Sequence, residues 1–214
     1  MNLIFDFDGT LVDSLPKVIE KFNGMADEFH FRKIQPDELP NIRHLNSRDV
    51  IKYMQIPFYK IPRILHRARK LMNSEMPFLT PFLHLREVLQ QLHAEGFLLG
   101  ILTSNSSENV NTWLELHKIN HFFNFIHAES SYFGKSRLIK KLLKKYNIDK
   151  SHAFYIGDET RDIEAANKND IYSVAVTWGF NSEQILLQHQ PDYVARKPED
   201  LLKIIPQVGK PCTT

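Results

Sequence analysis

Apolar and polar positions along this chain follow two rhythms. Asn2 to Phe7 carries the run Leu3-Ile4-Phe5 and is stopped by Gly9, which reads as a buried strand. Beyond it, Leu15, Val18, Ile19, Phe22, Met25, Ala26 and Phe29 recur at spacings of three and four, the stripe of an amphipathic helix over 15–30. Ser14 stands where it can cap that helix, with Pro16 in the first turn. Ser47 is expected to cap a shorter helix over 48–55 that Pro57 closes, and Ile61, Ile64, Leu65, Ala68, Leu71 and Met72 mark another. Residues 14–80 therefore read as all-helical.

From residue 81 the rhythm alternates. Phe82, Leu85, Val88, Leu89 and Leu92 define a helix that Gly96 can end. Strands are expected at Phe97–Leu102, Phe123–His127, Ala153–Ile156, Tyr172–Val176 and Tyr193–Val194. Helices are expected around Leu138–Tyr146 and over 160–168, 182–189 and 199–205. Strands alternating with helices imply an α/β fold, a doubly wound parallel sheet with helices on both faces. The expected organisation is a discontinuous core, residues 1–13 plus 81–214, with an α-helical cap inserted at 14–80. In open parallel sheets, ligands bind beyond the carboxyl ends of the strands, near the switch point. That places the residues just after the first strand in the site and the helical insertion over it.

Composition narrows the function classes. A formal net charge of +2 over 214 residues gives no electrostatic footprint for nucleic acid. The apolar share of 43% suits a packed core. Cys212 is the only cysteine, so no internal disulfide can form, which fits a reducing compartment. The longest apolar stretch, Phe97–Leu102, is far too short to span a bilayer, and the run at Leu3 reads as a core strand rather than a signal peptide. A cytoplasmic protein with neither nucleic-acid nor membrane partners is expected; its oligomeric state is left open.

The polar groups at the strand ends carry the chemistry. Asp6 and Asp8 follow the first strand and share one side if the chain stays extended. The second strand runs into Thr103-Ser104-Asn105-Ser106, the third leads to Lys135 after Gly134, and the fourth ends at Gly157-Asp158, with Asp162 four residues on. If these ends converge, so many carboxylates would be protonated unless a cation sat among them. Oxygen ligands favour a hard cation such as Mg²⁺, completed by substrate phosphate oxygens. The hydroxyl, amide and lysine donors would hold those oxygens.

Asp6-Phe7-Asp8-Gly9-Thr10, Thr103 after Gly100-Ile101-Leu102, Lys135, and Gly157-Asp158-Glu159-Thr160-Arg161-Asp162 together resemble, in order, the four motifs of the haloacid dehalogenase superfamily. Val176-Thr177-Trp178-Gly179-Phe180 and Pro191-Asp192-Tyr193-Val194 resemble its phosphoglycolate phosphatase-like branch. Lys168-Asn169-Asp170 departs from the Ala-Gly usual there; Asn tolerates a left-handed backbone, so no functional cost is expected.

The resemblance implies an Mg²⁺-dependent phosphatase acting on a small phosphorylated molecule. It makes Asp6 the nucleophile and Asp8 the proton donor, and gives Lys135 a catalytic role. Thr103, Ser104, Asn105 and Lys135 would bind the phosphate. Asp6, Asp8 (through its backbone carbonyl), Asp158 and Asp162 would form the metal site. Asp8 argues against dehalogenation, since the dehalogenase branch lacks that second aspartate. A phosphomutase of the β-phosphoglucomutase type and a catalytically silent binding protein remain as alternatives. A phosphonatase would need a cap lysine, and none of Lys17, Lys21 and Lys52 stands out. Arg43 and His44 lie in a loop that could reach the substrate, and Arg69 belongs to a basic helix face read as solvated.

Overall fold

Leu3, Ile4 and Phe5 have no exposed surface, as a strand covered on both faces requires. They form β1 (Asn2–Phe5), the centre of the fold. The computed structural model describes residues 1–129 and 134–208; Cys212 lies outside them. After β1 come α1 (Leu15–Phe29), α2 (Leu39–Ile42), α3 (Ser47–Tyr53), α4 (Ile61–Asn73) and α5 (Leu85–Ala94). The chain continues through β2 (Leu98–Thr103), α6 (Ser107–Leu116), β3 (Phe123–Ala128), α7 (Lys135–Lys145), β4 (Ala153–Gly157) and α8 (Thr160–Asn167). It closes with β5 (Tyr172–Val176), α9 (Glu183–Gln188), β6 (Tyr193–Ala195) and α10 (Leu201–Val208).

The strands make one six-stranded sheet in the order β3-β2-β1-β4-β5-β6, with every pairing parallel. This is a doubly wound α/β sheet whose order reverses at β1, so the crevice beyond β1 and β4 is where such folds bind ligands. Alternate side chains of β1 serve opposite faces. Leu3 and Phe5 pack with Leu89 of α5, Trp113 of α6 and Leu201 of α10. Ile4 packs with Leu138 and Leu142 of α7 and Ala165 of α8. Helices α1, α3 and α4 close a separate cluster around Met25, Phe29, Met54, Ile61 and Ile64.

Several local expectations are corrected. Ser14 precedes α1 but makes no side-chain capping bond, because its backbone is already helical (φ −97°, ψ −13°) and does not aim the hydroxyl at the first amides. Asn46, not Ser47, caps α3, accepting from Arg48 N at 3.0 Å and Asp49 N at 3.1 Å. Helix α6 lies where the apolar pattern predicts no element. Its buried face is only Asn109, Val110, Trp113 and Leu114, too mixed to read as a stripe, and Ser106 caps it by accepting from Asn109 N at 3.2 Å. In the turn after α8 the left-handed residue is Asp170 (φ +56°), not Asn169. The Asn169 amide instead donates to Ala165 O at 2.7 Å and to Ser136 O at 2.9 Å, tying α8 to the first turn of α7.

Candidate active site

Strand geometry delivers the carboxylates. Asp6 N donates to Ile156 O at 2.9 Å, extending the ladder one residue past β1 and fixing the Asp6 side chain beside the end of β4. Gly9 then turns the chain at φ +78°, a conformation that favours glycine. Space forbids a side chain there as well, since a Cβ would stand 2.2 Å from Asp158 Oδ2. Asp158 follows β4 directly, and Asp162 sits in the first turn of α8, where its Oδ2 accepts from Glu159 N at 3.0 Å.

Asp6, Asp158 and Asp162 are buried together, with one carboxylate oxygen from each within 4.8 Å of the others. Lys135, at the start of α7, is the cation among them. Its Nζ donates to Asp6 Oδ2 at 2.7 Å and also to Asp162 Oδ1. Asp6 Oδ1 accepts from Phe7 N at 2.8 Å. Among the described residues Asp158 has no cation of its own: Thr10 Oγ1 donates to its Oδ1 and Phe180 N to its Oδ2, both at 2.7 Å. Three buried carboxylates, two of them paired with one lysine, form an all-oxygen donor set that could hold a hard metal ion.

The electrostatics match that geometry. Burial pushes the Asp158 carboxyl well above its ordinary value, reinforced by the negative charges of Asp162, Glu159 and Asp6. Burial also lifts Asp162, to about 6, against the pull of Lys135. Burial would lower the Lys135 ammonium, yet Asp162 and Asp6 outweigh it and hold the lysine well above the usual range. Asp8 is raised by burial as well. The Ser14 hydroxyl, which forms no hydrogen bond of standard geometry, and the Asn105 amide at 3.3 Å pull it partly back.

A stability prediction follows from the raised acids. Between pH of about 4 and 6 the native Asp162 keeps a proton that the unfolded chain has released, so stability falls as pH rises through that window. Asp158 adds a contribution of the same sign. With EDTA present, thermal denaturation should show this decline, and Asp162→Asn should flatten it. An unchanged slope in that variant would contradict the assignment.

The remaining sequence-predicted residues fall on one rim. Ser104 and Asn105 line a cavity of about 300 Å³ together with Asp6 and Asp8. Thr103 is buried at the end of β2, and its hydroxyl accepts from Asn105 N at 3.0 Å, which shapes this turn. The opposite wall comes from the helices. Leu15, Val18, Ile19 and Phe22 face the cavity, so the first half of the α1 stripe lines it while Met25, Ala26 and Phe29 pack inward. Arg69 lines the same space, so the basic face of α4 is not wholly solvated.

Sequence reasoning missed Glu159, Arg161 and Ser47. Arg161 lines the cavity and pairs with Glu159, and Ser47 Oγ donates to Glu159 Oε2 at 2.7 Å, joining α3 to α8. Burial would raise the Glu159 carboxyl, but Arg161 and Lys135 bring it below the ordinary value. For Glu159 and Arg161 the sequence signal is their place inside the Gly157–Asp162 motif; Ser47 is marked only as an expected helix cap. Arg43 does reach across from the helices, but its guanidinium meets backbone carbonyls after β5.

Fold and site together put buried carboxylates and a lysine at the switch point of a doubly wound sheet. The profile of the haloacid dehalogenase-like hydrolases matches residues 3–176, and the chain belongs to that family. It is 34% identical to the phosphoglycolate phosphatase of Synechococcus elongatus over 206 residues, covering 96% of this chain and 97% of the relative. It is 26% identical to the pyrophosphatase PpaX of Listeria welshimeri, covering 95% of each. Among solved structures, a predicted phosphatase from Clostridium acetobutylicum superposes with a TM-score of 0.82 at 22% identity, over 96% of this chain and 98% of that one. Among the described residues no helix is long and apolar enough to cross a membrane.

Proposed function

We propose that this enzyme is a divalent-cation-dependent phosphatase. Its substrate is a small phosphate monoester, phosphoglycolate or a compound of similar size such as a sugar phosphate. The observation that carries the reading is the buried meeting of Asp6, Lys135, Asp158 and Asp162 beneath a cavity rimmed by hydroxyl and amide donors. Relatedness to a phosphoglycolate phosphatase at 34% identity over nearly the whole chain supports the substrate class.

In this mechanism an Asp6 oxygen attacks phosphorus, the ester P–O bond breaks, and an aspartyl-phosphate forms. Asp8 gives its proton to the departing alkoxide. It then takes a proton from the water that hydrolyses the intermediate, returning Asp6 and releasing phosphate. The raised Asp8 carboxyl and its place on the cavity wall suit it to that duty. Lys135 and the Thr103–Asn105 turn supply donors for the phosphoryl oxygens. Asp6, Asp158 and Asp162 would hold Mg²⁺, which when bound would offset the negative charge of nucleophile and phosphate. Helices α1 to α4 act as the cap, closing the cavity around the organic part of the substrate.

Phosphate release should be measured over a panel of phosphoglycolate, sugar phosphates, nucleotides and pyrophosphate, with and without Mg²⁺. Turnover of at least one small monoester is expected, lost in EDTA and restored by Mg²⁺. Preference for pyrophosphate would reassign the substrate. Phosphoryl return to a sugar without net phosphate release would make the enzyme a mutase.

A further inference from the structure

Segment 177–182, which follows β5, touches three parts of the molecule at once. Towards the first loop, Trp178 Nε1 donates to Thr10 O at 3.1 Å. Gly179 lies so close to this loop that a Cβ would stand 2.3 Å from Gly9 O. Towards α8, Asn181 Oδ1 accepts from Thr160 N at 3.0 Å. Towards the helices stands Arg43, just past α2. Its Nη2 donates to Gly179 O at 2.9 Å and Thr177 O at 3.0 Å, and its Nε to Phe180 O at 3.3 Å.

One peptide unit matters most. Gly179 O and Phe180 N belong to the same planar trans amide, so they point in opposite directions. The carbonyl end accepts from Arg43, and the amide end donates to Asp158 Oδ2 at 2.7 Å. This single peptide plane thus connects a cation carried by the cap to a carboxylate of the candidate metal site. Arg43 fixes the plane's rotation and polarises it, which strengthens the N–H as a donor. Without the guanidinium, Gly179 O, Thr177 O and Phe180 O lose their shared anchor.

We propose that Arg43 is a positioning residue for Asp158, acting through the Gly179–Phe180 peptide, and so couples docking of the cap to divalent-cation affinity. The inference rests on the reading above that Asp158 helps to hold a cation. By linkage, whatever lifts Arg43 away from the segment weakens cation binding, and cation binding favours the docked arrangement to the same degree. His44 is the natural control. Its Nδ1 lies 2.6 Å from Ser182 Oγ, so it also joins cap to core but does not touch the relaying peptide.

The test is calorimetric titration of the full chain with Mg²⁺, independent of turnover. Arg43→Ala should weaken binding by about tenfold, within the usual range of coupling between sites. Arg43→Lys, a compact charge without the planar fork, should fall between it and wild type. His44→Ala should bind Mg²⁺ as wild type does. In phosphate release, Arg43→Ala should need more Mg²⁺ for half-activation yet recover most of its kcat at saturation. Unchanged Mg²⁺ affinity in both Arg43 variants, or an equal loss in His44→Ala, overturns the inference while leaving the phosphatase reading intact. A wild-type chain that binds no divalent cation overturns the metal site and this inference together.

Discussion

Asp6→Asn is expected to reduce phosphate release on the order of 10⁴-fold or more, with the fold retained. The amide keeps the oxygen that accepts from Phe7 N (2.8 Å in the wild type) but cannot serve as the anionic nucleophile. The loss should be similar for an alkyl ester and for an aryl phosphate, because both need the same attacking atom. Asp8→Asn makes the contrasting case. A missing proton donor typically costs about 10²–10⁴-fold, and the cost shrinks when the leaving group needs no proton. Asp8→Asn should therefore be markedly less impaired on the aryl substrate. Steady-state kinetics of the two variants on both substrates separate these roles. Asp6→Asn activity within about tenfold of wild type, once contamination is excluded, would falsify the nucleophile assignment.

Lys135→Met should produce the largest stability change. The lysine side chain is only 12% exposed and bridges Asp6 and Asp162. Removing one partner of a buried ion pair strands the other charge, at a cost of about 3–5 kcal/mol. For a chain of this size that corresponds to a melting temperature lower by about 6–20 °C. The sign of the pH dependence is also fixed. Lys135 pulls the Asp162 carboxyl down to about 6, so without it Asp162 keeps its proton to higher pH, and the deficit should grow as pH rises above about 6. Mg²⁺ should narrow it, since the carboxylates left without their lysine gain more from a bound cation than the paired ones of the wild type do. Activity should fall by about 10²-fold from the lost charge at the phosphoryl group. Circular dichroism melts in EDTA and in Mg²⁺ provide the check, and an unshifted melt in EDTA would mean that the link to Asp6 and Asp162 does not form.

The parts of the fold that were legible are those in which local pattern and burial coincide. Leu3-Ile4-Phe5 could hardly be anything but a strand covered on both sides, and the α1 and α4 stripes leave one interpretation for each helix. Legibility failed where neighbours offered the same chemistry. Asn46 and Ser47 are both good caps, and only the docked position of α3 decides that Asn46 caps while Ser47 turns to Glu159. Helix α6 was obscured because its buried face includes Asn109, whose amide is satisfied by Asn73 Oδ1 at 2.6 Å, a partner far away in sequence.

Which groups are present, and at which strand ends they stand, can be read from the linear chain. Asp6, Thr103, Lys135, Asp158 and Asp162 each lie within a few residues of a strand or a helix start, and a parallel sheet brings its carboxyl ends to one edge. How they pair is a matter the packed fold decided. The Lys135 link to Asp6 joins residues 129 positions apart, and Arg43 meets Gly179 O across 136. It also decided that half of the α1 stripe lines a cavity instead of a core. Hydrogen bonds and ion pairs act over a few ångströms, whereas the docking that brings these groups within reach comes from apolar contacts spread along the whole chain, and no short stretch of sequence contains it.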